Sequence, residues 1–118
     1  MSPYYETAAH TLLFLCRAGL TIRAGVDCRA VVWRLAFMID LRNAKYADLS
    51  HAAAASWILD DLVRLQYASV DAKKLSKLLA ILGTSIGNAE GHVLNRSKAE
   101  TRGFTPRTPW DTSARARP

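Results

Sequence analysis

Gly83-Thr84-Ser85-Ile86-Gly87 fits G-x-S-x-G, the signature of a nucleophile elbow that presents a serine hydroxyl for acyl transfer. That chemistry needs a strand before the serine and a helix after it, so that the hydroxyl stands on a strained turn. The residues before Gly83 place Leu75, Leu78, Leu79 and Leu82 at a helical period, not at a strand's alternation. A single histidine, His92, follows the motif, and the chain is too short for the sheet that carries such an elbow. The expected structure is a helix softened by two glycines.

Metal chemistry finds no better footing. His10, His51 and His92 lie on three different segments, and none is followed at i+3 or i+4 by a carboxylate or a second histidine. Cys16 and Cys28 are twelve apart, which matches no zinc spacing. The glutamates are Glu6, Glu90 and Glu100, and none begins E-x-x-H. Neither phosphate-binding glycine loop occurs. No metal or other cofactor is expected.

Paired carboxylates suggest Asp60 and Asp61, but neighbouring helical positions point about 100° apart and cannot aim at one substrate atom. Both are expected as surface charge, with Asp60 paired to Arg64 four residues on. Asp40 lies in the most apolar segment and needs a partner there, with Arg34, Arg42 or a backbone group as candidates. Structural pairing is the expected role. The chain reads as a non-enzyme.

The basic residues are the better-supported feature. The net charge is +6, and it is uneven: residues 1–90 hold 10 Lys/Arg against 8 Asp/Glu, whereas residues 91–118 hold 6 against 2. Lys73, Lys74 and Lys77 form one helical patch, and Arg96, Lys98, Arg102 and Arg107 continue the charge toward the C-terminus. Phe104 and Trp110 are interleaved with it, which suits stacking on unpaired bases of single-stranded DNA or RNA. No helix-turn-helix pair, zinc finger or basic zipper accompanies the charge, so contact with the nucleic-acid backbone without base readout is expected. A solvated tail that maintains solubility is the plainer reading. Thr105-Pro106-Arg107-Thr108-Pro109-Trp110 supports a rival, in which a stiff segment anchored by Trp110 docks on an acidic groove of a partner protein.

These residues must be held by a single domain, since 118 residues, half of them apolar, supply one core. The spacing predicts a first helix from about Pro3 to Ala18, stopped by Gly19, with Ala8, Leu12, Leu15 and Cys16 on one stripe. Leu20–Val26 is a connector in which Thr21 and Ile22 could extend, with no partner strand evident. Asp27 caps a second helix, about Cys28–Ala44, whose run Ala30–Leu41 is broken only by Arg34 and Asp40. Such a helix is expected at the centre, buried on several sides. Val31, Leu35, Met38 and Ile39 would form its core face, and Trp33 and Phe37 a second apolar face. A third helix, about Leu49–Ala68, opens near Asp48 or Ser50 and carries Ala55, Ile58, Leu62 and Leu65. Ser69 or Asp71 caps a fourth, with Leu75, Leu78, Leu79, Leu82 and Ile86 inside, continuing through Ala89, Val93 and Leu94.

The expected fold is therefore all-α: a compact bundle of four to five helices over residues 1–100, followed by an extended basic Pro/Arg-containing tail over 101–118. Cys16 and Cys28, each in an apolar stretch, read as core thiols of a reducing, cytoplasmic protein. The 12-residue run Ala30–Leu41 is too short for a membrane span of ~20, and Glu6 sits where a signal peptide would carry positive charge. In size, basicity and helical content the chain resembles the small helical subunits of CRISPR effector complexes. That resemblance implies a subunit lining a nucleic-acid path without catalysis, and no site residue is carried over from it. The expected function is a non-enzymatic accessory or structural subunit of a nucleoprotein assembly, with nucleic acid, protein partners or both in a multi-subunit complex. A protein-interaction module, an inhibitor or assembly partner, is the alternative.

Overall fold

Helix starts and stops in this chain follow from a few polar side chains and one unusual turn. Asp27 accepts from the Arg29 amide at 2.9 Å and opens α2 (Cys28–Lys45). Ser50 does the same for α3 (His51–Arg64) through the Ala53 amide at 3.0 Å. Asp71 accepts from the Lys73 amide at 3.0 Å and starts a short 3-10 turn, Ala72–Lys74, that leads into α4 (Leu75–Arg102). Each of these carboxylate or hydroxyl oxygens satisfies an amide that the first helical turn leaves without a partner. The first helix, α1 (Tyr5–Arg17), opens after Tyr4 with no side-chain cap. The structure, a computed structural model, describes residues 3–102, with side chains up to Glu90.

The α3 terminus falls short of the expected boundary at Ala68. Gln66 adopts φ 62°. Its amide reaches the Val63 carbonyl and the Tyr67 amide reaches the Leu62 carbonyl, both at 3.0 Å. That pair of bonds is the Schellman closure, built here on a glutamine where glycine is usual. The chain thus leaves the helix early, and Ala68–Val70 becomes a strand, β2. It pairs antiparallel with β1 (Leu20–Ile22) in the register Leu20↔Val70, Thr21↔Ser69, Ile22↔Ala68. Thr21 and Ile22 therefore do extend, and they have a partner. The all-α expectation is corrected to a mostly helical fold with one two-stranded clasp, which joins the α1–α2 connector to the α3–α4 connector.

The four helices of the described residues alternate in direction, with α1 and α3 each flanked by α2 and α4. Leu12 and Leu15 of α1, Val31, Leu35 and Ile39 of α2, Ile58 and Leu62 of α3, and Leu78, Leu82 and Ile86 of α4 are buried between them. Burial of one such side chain contributes about 1.5–3 kcal/mol. Leu65 and Leu75, expected in the core, are instead 43% and 42% exposed where α3 and α4 meet the clasp connector. The expectation that α2 is buried on several sides is also corrected. Its inner face is closed, but Ala30, Trp33, Phe37, Asp40 and Ala44 face outward. Cys28, at the first helical position, is exposed, and Cys16 is half-buried.

α4 is described as far as Arg102, and the expected tail over 101–118 lies almost wholly outside the described residues. Among the described residues no helix is long and apolar enough to cross a membrane.

Candidate functional site

The G-x-S-x-G stretch lies within one continuous helix, α4. Its two glycines face α3. A Cβ on Gly83 would stand 3.6 Å from the His51 carbonyl oxygen, and one on Gly87 would stand 3.1 Å from Cε1 and 3.2 Å from Nδ1 of the His51 ring. Gly87 thus makes room for the His51 ring of α3's first turn, whereas a side chain at Gly83 would meet only an ordinary contact. Ser85 points the other way, into a groove between α1 and α4.

At the end of the bundle where α4 passes α3's start, a polar cluster closes the core. Arg42 is only 3% exposed. Its guanidinium donates to Glu90, to the Asn43 side chain, and to the backbone carbonyls of Ala47 and Leu49. His51 Nε2 lies 3.3 Å from the other oxygen of Glu90, and Asn43 donates to the Tyr4 hydroxyl at 3.0 Å. The Arg42 hydrogen bond, and after it that of His51, holds the Glu90 carboxyl below the usual glutamate range. A buried cation carries a large desolvation cost and persists only because these acceptors surround it. The cluster ties α2, α4, α1's entry and the α2–α3 connector together.

Arg34 does not pair with Asp40. Its Nε and one amino group instead grip both oxygens of Asp61 on α3, at 2.8 and 2.9 Å, and the bond raises the Arg34 guanidinium further above its ordinary value. Asp40 is exposed. Asp60 pairs with Arg64 at 3.0 Å on the surface, as the four-residue spacing requires. The Cys16 thiol is pushed up, first by burial and then by nearby Cys28, which keeps it less reactive than a free thiol. Among the described residues no three His, Cys, Asp or Glu side chains come together as a metal site.

The basic residues separate into two groups. Lys73 and Lys74 on the 3-10 turn and Lys77 in the first turn of α4 are exposed together at the clasp end of the bundle. Arg17, the last residue of α1, joins them: it lines the same groove as Lys77, and the aliphatic stem of Lys74 lies across Gly19 just beyond it. Among the described residues none of these four cations has a carboxylate within ion-pair distance. Arg96, Lys98 and Arg102 sit on the distal stretch of α4, ~28 Å or more along the helix from Lys77 at 1.5 Å per residue. Arg107, Phe104 and Trp110 lie outside the described residues.

Between α1 and α4 runs an open groove of about 480 Å³. Phe14, Ala18, Ala80 and Ile81 supply its apolar wall, Arg17 and Lys77 stand at one end, and Thr84, Ser85 and Asn88 supply hydroxyls and an amide further along. Phe14 is 52% exposed there. Phe14 and Arg17 escape sequence reading because they join the site only through the antiparallel pairing of the first and last helices. Comparison of the chain with protein-family models, with curated proteins and with solved structures found no match.

Proposed function

We propose that this chain is a non-enzymatic subunit of a nucleic-acid-containing assembly, and that it holds the sugar–phosphate backbone at the clasp end of the bundle. One observation carries the reading: Arg17, Lys73, Lys74 and Lys77 converge from three elements and stand exposed, without carboxylate partners among the described residues. Cations arranged this way attract a polyanion and release its counterions on binding. Phe14 beside them, with Thr84, Ser85 and Asn88 along the groove, suits an unpaired base stacked against the ring. Single-stranded nucleic acid is therefore preferred over duplex. Among the described residues nothing at this end resembles an element that enters a groove to read base edges, so binding is independent of sequence.

The test is a salt series of binding to labelled single-stranded DNA, duplex DNA and RNA. Four phosphate contacts give a log–log slope of about −3 on single strands. Reversal of Arg17, Lys73, Lys74 and Lys77 to glutamate abolishes binding, and Phe14→Ala weakens single-strand binding while sparing duplex. Absence of binding to all three at low salt ends this reading.

A further inference from the structure

Trp33 and Phe37, one helical turn apart on α2, are 43% and 51% exposed. Neither ring is loosely held. The Tyr5 ring stands 4.5 Å from Trp33, centroid to centroid and tilted by 53°. The Arg34 guanidinium carbon lies 5.3 Å from the Phe37 centroid, and Arg34 is itself fixed by Asp61. Aromatic side chains already fixed in this way lose little freedom when covered, and they dominate interface energies where they occur. Ala30, Asp40 and Ala44 extend the same outward stripe. Leu13 of α1, 49% exposed, adds to it from the side of α1 that Tyr5 and Ala9 share at four-residue steps.

The charges at the two ends of this stripe identify its occupant. Arg29 lies toward the start of α2 and Asp40 toward its end, three helical turns on and therefore along the same edge. Asp40 has no ion-pair partner among the described residues, and Arg29 has only Asp27, in a solvent-exposed contact of 3.2 Å. Exposed pairs of that kind contribute little and are readily shared.

We propose that a second copy of this chain covers this face, the two α2 helices packing antiparallel about a two-fold axis that passes between Trp33 and Phe37. Under that symmetry Trp33 of each copy meets Phe37 of the other, and Arg29 of each meets Asp40 of the other. The face is self-complementary, as a two-fold interface requires. A parallel pairing would set Arg29 against Arg29 and Asp40 against Asp40, which like-charge repulsion disfavours. The seam lies on the α1–α2 side, away from the α1–α4 groove, so dimerisation stands or falls independently of nucleic-acid binding.

Sedimentation equilibrium or light scattering on the full chain, across a concentration series, reads the outcome directly. The expected result is a species of twice 13.0 kDa that dissociates on dilution. Trp33→Ser with Phe37→Ser yields a monomer whose circular dichroism is unchanged. Arg29→Asp and Asp40→Arg, made singly, each set like charges across the seam and weaken association by at least about tenfold. Combined in one chain, they restore it. A wild-type chain that stays monomeric at roughly 100 µM overturns the proposal, as does a dimer indifferent to Trp33 and Phe37 or to the charge exchange. A monomer that instead binds a different protein through this face also overturns it.

Discussion

At one end of the bundle a single cation, Arg42, is shut among four oxygens from four residues, while at the other Arg17, Lys73, Lys74 and Lys77 stand exposed, with no carboxylate within ion-pair distance among the described residues. The first arrangement spends its hydrogen-bonding capacity on the fold, apart from one buried Arg42 nitrogen, Nε, that has no partner among the described residues. The second spends almost none. Residues that hold the fold together are satisfied from within the chain, and residues left unsatisfied at the surface remain free for another molecule. The contrast teaches where substitutions should register as stability and where they should register as binding.

The sharpest way to break the contrast is at Glu90. Glu90→Gln leaves Arg42 buried beside a neutral amide, and a loss of about 2 kcal/mol in urea unfolding is expected. The same residue sets an acid dependence. Because Arg42 and His51 hold the folded carboxyl below the usual glutamate range, the folded chain takes up that proton less readily than the unfolded one. Its contribution is present above the ordinary glutamate pKa and is lost as the pH falls through the lower folded value. Thermal melts below the ordinary glutamate range should therefore decline less in Glu90→Gln than in the parent chain.

Smaller effects separate the two glycines that approach α3. Gly83→Ala meets only ordinary contacts and gains up to ~1 kcal/mol from helix propensity. Gly87→Ala presses on the His51 ring and should fall below Gly83→Ala in melting temperature, with the His51–Glu90 contact displaced in a histidine NMR spectrum. Gln66→Gly relieves the left-handed turn and adds about 0.5–1 kcal/mol by the same unfolding assay. At the open end, Lys73→Glu and Lys77→Glu should each shift stability by no more than ~0.5 kcal/mol. A larger loss there would erase the contrast.

Much of the helical frame was legible because its signals are local. Asp27 sits three residues before an apolar run, and Leu78, Leu82 and Ile86 repeat at helical spacing, so both could be read without knowing their neighbours. The clasp was not legible, since three residues on each side carry too short an alternation, and the strands are separated by two helices. Gln66 concealed the end of α3 because glycine or asparagine usually marks that turn. Arg34 and Asp61 are 27 residues apart in sequence, and only the packing of α2 on α3 makes them partners. Trp33 and Phe37 were read as an apolar face of a buried helix, but hydrophobicity does not say which faces find a neighbour. For the candidate site, Lys73, Lys74 and Lys77 followed from their spacing, whereas Arg17 and Phe14 required the fold.

The clasp has a kinetic consequence. Its two strands are separated by α2 and α3, so the three-residue ladder can form only once that helical pair has folded back on itself and absorbed the entropy of closing the loop. The ladder is thus a late event that seals a hairpin of helices already made, and a mutation that weakens it should accelerate unfolding more than it slows folding. Because α3 packs more extensively on α4 than on α2, opening the clasp leaves the bundle closed, a local opening that amide exchange at Thr21 and Ser69 would detect before the helices exchange.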